Sequence, residues 1–145
     1  DHQDWTPVIV RKTIKKKKGA IFFVAGGGAA NSFKKFSSYS LAKTSIVRFA
    51  ENLAAESKNR FYSFAVTPGP VETKLMQKTL LHGHKKKKKK IITSDKFIEL
   101  INYLIKNQKK FLNWKYIHSN DNYKNFNKEN TKNLFFLRRA ENRKI

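Results

Sequence analysis

The stretch AIFFVAGGGAANSFKKFSSYSLAKTSIVRFAENLAAE, residues 20–56, decides the fold. It opens on a continuous apolar run, Ala20 to Ala25, set between glycines. Such a run suits a strand buried on both faces, the kind found in parallel sheets. Gly26, Gly27 and Gly28 interrupt the chain, and a helical pattern follows. Ile46, Phe49, Ala50 and Leu53 keep the i, i+3, i+4, i+7 spacing of one buried face, while Arg48, Glu51 and Asn52 fall elsewhere. Ser37 or Ser38 is placed to cap this helix through a side-chain oxygen.

Working outward, RFYSFAVTPGP at 60–70 reads as a second strand, stopped by Pro68, Gly69 and Pro70. A polar stretch with the lysine run Lys85 to Lys90 comes next. Phe97, Leu100, Ile101, Leu104 and Ile105 then fit the helix template. Asp95 sits in its first turn, and Lys109 and Lys110 are expected to close the last, as the helix dipole favours. FLNWKYIHS at 111–119 reads as a third strand. Upstream, PVIVRKTIKKKK suits a short helical piece before the break at Gly19. Alternating strands and helices are the signature of βαβ units around a parallel sheet, an α/β fold. Residues 1–119 are expected to form an incomplete domain of this class. Residues 120–145 read as a weakly structured Lys/Asn-rich tail with an apolar anchor at 134–137.

A chain of 145 residues suffices for one domain. Its 32 Lys and Arg against 10 Asp and Glu give a net charge of +22, a field that attracts polyanions and says nothing about fold. Cysteine is absent, which excludes disulfides and thiolate metal sites. The longest nearly uncharged run, Ala20 to Ser32, is too short to span a bilayer as a helix, so no membrane role is expected. A cytoplasmic setting is the default.

The chemistry sits at Tyr39 and Lys43. Residues four apart on a helix share a face, so both can point at one site. A free phenol titrates near pH ~10 and is a poor acid or base at neutrality. A nearby ammonium favours the phenolate and lowers that value. Tyr39 could then exchange a proton with a carbonyl or alcohol oxygen. The plain alternative is a surface tyrosine and a solvated lysine on an amphipathic helix.

YSLAK after AIFFVA and GGGAA, the helix TSIVRFAENLAAE, and FAVTPGPVET about thirty residues later together resemble the short-chain dehydrogenase/reductase family. The resemblance runs from about residue 7 to 119 and covers the C-terminal half of the family's domain. It implies a partial Rossmann-like doubly wound parallel sheet of about three strands, with the N-terminal half of the fold missing. It also implies hydride transfer between NAD or NADP and a small carbonyl or alcohol substrate. Tyr39 would be the general acid/base, and Lys43 would lower its pKa and hold the nicotinamide ribose. Pro68, Gly69, Val71 and Thr73 would border the nicotinamide. A homodimer through the Tyr39 helix is a further implication.

The departures are as specific. The family serine that steadies the substrate oxygen stands thirteen or fourteen residues before the tyrosine, and here those positions are Gly26 and Ala25. The glycine-rich cofactor turn would precede Asp1, and Gly26 to Gly28 lack its G-x-G-x-x-G spacing. A truncated or impaired enzyme is therefore expected. The second expectation is a non-catalytic basic scaffold that binds polyanions such as RNA, or a partner subunit. Lys15 to Lys18 and Lys85 to Lys90 carry the charge for it, and KKFLNWKYIHSNDNYKNFNK at 109–128 interleaves aromatic with basic residues. A solvated loop explains the lysines as well. His82 and His84 flank a glycine but have no acidic cluster nearby, so no metal site is expected.

Overall fold

The computed structural model describes residues 19–57, 60–71 and 94–134, together with Lys74 and Gln77. The N-terminal lysines, Thr73, His82, His84, the run Lys85 to Lys90, and residues 135–145 lie outside the described residues. Three parallel strands form the sheet: β1 (Ala20–Val24), β2 (Tyr62–Thr67) and β3 (Tyr116–His118), in that spatial order. Helix α1 (Ser37–Glu56) joins β1 to β2, and α2 (Ser94–Lys106) lies between β2 and β3 in the chain. The fold is α/β, as expected.

Alternation along the strands sends side chains to two faces. Phe64, Val66 and Ile117 pack with Leu100 and Leu104 of α2, while Ala65, Tyr116 and Ala25 pack with Val47 and Ala50 of α1. The sheet is thus covered by a helix on each side. Only β2, in the middle, is buried almost throughout. β1 was expected to be buried on both faces, yet it is half-buried, and Val24 is 46% exposed. The cause is position: β1 is an edge strand among the described residues.

Other boundaries shift for physical reasons. Neither Ser37 nor Ser38 caps α1: Phe36 occupies the N-cap with no side-chain bond, and Ser37 is already helical. The buried face of α1 runs through Val47, Ala50, Leu53 and Ala54. Phe49 is 39% exposed and meets Phe23 edge-on at 5.3 Å. Small residues let α1 lie close to the sheet and push the larger Phe49 to the margin. Helix α2 stops at Lys106, so Lys109 and Lys110 lie beyond its last turn.

β3 is shorter than 111–119 because Lys110–Leu112 close a 3₁₀ turn and Asn113 then ends the loop. The Asn113 side-chain oxygen accepts the Ser63 and Trp114 amides at 2.8 and 3.1 Å. From Asp121 to Leu134 the chain is packed rather than loose. Tyr123 joins the core, Phe126 and Leu134 rest against it, and Thr131 is buried in a 3₁₀ turn at Asn130–Asn133. Among the described residues no helix is long and apolar enough to cross a membrane.

Candidate active site

All strands being parallel, their carboxyl ends lie on one edge of the sheet, where ligands of open α/β folds bind. Three backbone segments meet there: Ala25–Ala30 after β1, Pro68–Val71 after β2 and Ser119–Asp121 after β3. The Ala25 amide donates to the Val66 carbonyl at 2.8 Å, extending the pairing one step past β1. The Ser119 hydroxyl donates to the Pro68 carbonyl at 2.7 Å, so the end of β3 holds the Pro-Gly segment. Gly69 has φ 79°, a left-handed backbone that a side chain disfavours.

Tyr39 and Lys43 are brought together over the first of these segments. The Lys43 ammonium donates to the Val24 carbonyl at 3.0 Å and stands 5.9 Å from the centre of the Tyr39 ring. The Tyr39 hydroxyl lies against Gly26. A Cβ built on Gly26 would collide with that oxygen and stand 3.7 Å from Lys43 Cγ. A Cβ on Gly28 would come within 3.0 Å of the Tyr39 ring and of Ser40 Oγ. The glycines are the floor on which the tyrosine rests. Ser32 and Ser37 are both exposed and supply no replacement for the family serine.

The electrostatics differ from expectation. Burial pushes the Tyr39 phenol above its ordinary value of 10.0, where a lowering by Lys43 was expected. The ammonium is engaged with the strand carbonyl, and the ring is half-buried among apolar neighbours, so desolvation of the phenolate prevails.

Tyr116 is the residue that sequence reasoning missed. Its buried hydroxyl donates to the Gly26 carbonyl at 3.2 Å, across 90 positions of sequence. Alternation placed it in β3, but no local signal announces a partner so distant. The aromatic residues of 109–128 are largely turned inward: Tyr116 and Tyr123 are buried, and Phe111 and Phe126 pack on the core. Lys115 Nζ stacks on Trp114 at 3.9 Å from the ring centre. Among the described residues no group of three His, Cys, Asp or Glu is placed to hold a metal.

A parallel sheet covered by a helix on each face, with a tyrosine and a lysine at its carboxyl edge, defines an α/β protein of Rossmann-like type. The sequence matches the short chain dehydrogenase family over residues 5–82, more than half of its length, and the chain belongs to that family. No curated protein matches it. Among solved structures it is similar to the oxidoreductase yciK from E. coli, with TM-score 0.67 and 15% identity over 80% of this chain and 46% of that one. A short chain dehydrogenase from Salmonella enterica serovar Typhi gives 0.67 and 14%, over 80% and 47%. ElxO with NADP bound gives 0.61 and 19%, over 78% and 49%. These likenesses are of fold, a partial Rossmann fold. The chain spans just under half the length of each of these three structures.

Proposed function

We propose that this chain carries the proton-transfer part of an NAD(P)-dependent oxidoreductase acting on a small carbonyl or alcohol. The carrying observation is the meeting of Tyr39, Lys43 and the Gly26 turn at the carboxyl end of β1, beside the Pro68–Val71 segment. Tyr39 is the proton donor or acceptor at the substrate oxygen. Lys43 orients toward it and holds the ribose hydroxyls of the cofactor.

The donors present fit such a group. An ammonium and a phenol suit a ribose diol, and the partly exposed Pro68, Gly69 and Val71 offer a flat border for a nicotinamide ring. Thr73 belongs to the same proposal by its place in the sequence. NAD or NADP supplies or accepts the hydride when bound. Burial keeps the Tyr39 phenol protonated but makes it a weaker acid than a free phenol, so proton donation in carbonyl reduction is slowed. Without a serine hydroxyl at 25 or 26, the substrate oxygen has one donor fewer, a loss worth about two to three orders of magnitude in rate. Activity of this chain is therefore low. Pairing of two copies through the outer face of α1, where Leu41 is 70% exposed, is part of the same reading.

Titration with NADH and NADPH, followed by nicotinamide fluorescence and thermal shift, tests the proposal. Saturable binding, weakened by Lys43→Met, is expected, and a chain indifferent to both nucleotides would refute it. Salt-sensitive RNA binding without a nucleotide effect would favour the basic-scaffold reading. That reading has the charge of +22 behind it, while the rings it would use for stacking are largely buried.

A further inference from the structure

We propose that the substrate of this site is an anion, a small carbonyl compound carrying a carboxylate or phosphate group, selected by Lys34 and Lys35 on the turn that flanks Tyr39. This substrate class rests on the functional reading above. The turn runs from Phe33 to Phe36. The Phe36 amide donates to the Phe33 carbonyl at 3.1 Å, which leaves Lys34 and Lys35 as the two central residues. Lys35 has φ 71°, a left-handed backbone usually given to glycine or asparagine at the third place of a turn. A lysine held there adds strain, and strain of this kind gathers at functional segments. The root of the turn is fixed against the site. The Phe33 ring centre stands 6.1 Å from that of Tyr39, and a Cβ on Gly27 would meet the Phe33 ring at 3.7 Å. Lys34 and Lys35 are exposed at the tip, and among the described residues neither has an acidic partner.

The charge around them is one-sided. No Asp or Glu occurs between Asp4 and Glu51. Glu51 lies twelve residues beyond Tyr39, about 18 Å along the helix, and is paired with Arg48. Asp121, after β3, is committed to the His118 amide, which its carboxylate accepts at 2.8 Å. Lys43 adds a third cation on the face that carries Tyr39. Together these ammonium groups raise the local concentration of anions beside the phenol, and a neutral carbonyl compound gains nothing from their field. The two lysines belong to the segment after β1, whereas the proposed nicotinamide border follows β2, which puts their charge with the acid/base.

Two measurements on the intact chain test this. The first reads the field without any turnover. The chain has no cysteine, so Ser37→Cys puts a single thiol on the exposed first residue of α1, two positions from both Lys35 and Tyr39. Its thiolate displaces iodide from iodoacetate, an anion, or from iodoacetamide, the neutral counterpart, and the ratio of the two rates cancels the thiol's own reactivity. Adding Lys34→Gln and Lys35→Asn should lower that ratio about fivefold at low salt, and salt should lower it in the Ser37→Cys chain. Asparagine suits the backbone at 35, so the turn is kept. A ratio indifferent to the two lysines overturns the assignment.

The second measurement is kcat/KM for NADPH-dependent reduction within two pairs. Pyruvate is compared with 2,3-butanedione, which has an acetyl group in place of the carboxylate, and dihydroxyacetone phosphate with dihydroxyacetone. Preference for the charged member, reduced about fivefold in Lys34→Gln/Lys35→Asn, is expected, and the pair that shows it tells carboxylate from phosphate. Equal rates within both pairs overturn the substrate class. A chain that reduces none of the four refutes the functional reading, and the alkylation ratio then still upholds or overturns anion selection by the turn.

Discussion

Tyr39 owes its position to what Gly26 lacks. Its hydroxyl fills the space a side chain at 26 would occupy, so serine cannot simply be restored there. Gly26→Ser is expected to displace Tyr39 and cost about 1–3 kcal/mol by overpacking, read as a lower urea midpoint. Adding Tyr39→Phe should recover part of that loss, because the colliding atom is the phenol oxygen. A Gly26→Ser chain as stable as the parent would show that Tyr39 lies elsewhere. Gly69 illustrates a different demand, a backbone at φ 79°. Gly69→Ala should cost about 1–2 kcal/mol through that strain, measured in the same way.

At the scale of elements, the contrast between the two helices is instructive. α2 packs with Leu100 and Leu104, both fully buried, whereas α1 approaches the sheet through Ala50 and Ala54. Ala50 has no exposed surface, so Ala50→Leu should lower stability by about 1–3 kcal/mol. Leu104→Ala should cost about 2–5 kcal/mol by opening a cavity. Leu41→Ala, on the open face of α1, should change monomer stability by less than about 0.5 kcal/mol. Equal effects at the three positions, in urea denaturation, would contradict the packing described.

For the whole molecule, phenols pushed up by burial lower stability in alkali. Tyr39 and Tyr116 both titrate above their ordinary 10.0 in the folded chain, chiefly because burial disfavours their anions. Below that value both states are protonated and pH has no effect through them. Above it the unfolded chain releases these protons first, so stability falls as pH rises from about 10 until the folded phenols also ionise. Chemical denaturation across this range should show the decline, and Tyr39→Phe should make it shallower, with Tyr116 and Tyr123 still contributing. Acid should leave this contribution untouched.

The fold was largely legible. A six-residue apolar run, an amphipathic helix and a strand closed by Pro-Gly are local patterns, and three parallel strands with helices on two faces followed from their order. Tyr39 and Lys43 could be seen as a pair because helical spacing alone puts them on one face. Which strand lay at the edge, which way α1 was turned and where α2 stopped depended on neighbours, and those details shifted.

By itself the sequence determined the class of sheet, the family and the Tyr39–Lys43 juxtaposition, all consequences of residues near one another in the chain. Only the tertiary structure decided that Tyr39 leans on Gly26, that its phenol is pushed up rather than down, and that Tyr116 bonds a carbonyl 90 positions away. Periodicity reports which way a side chain points, but contact and desolvation depend on what the rest of the chain brings to meet it.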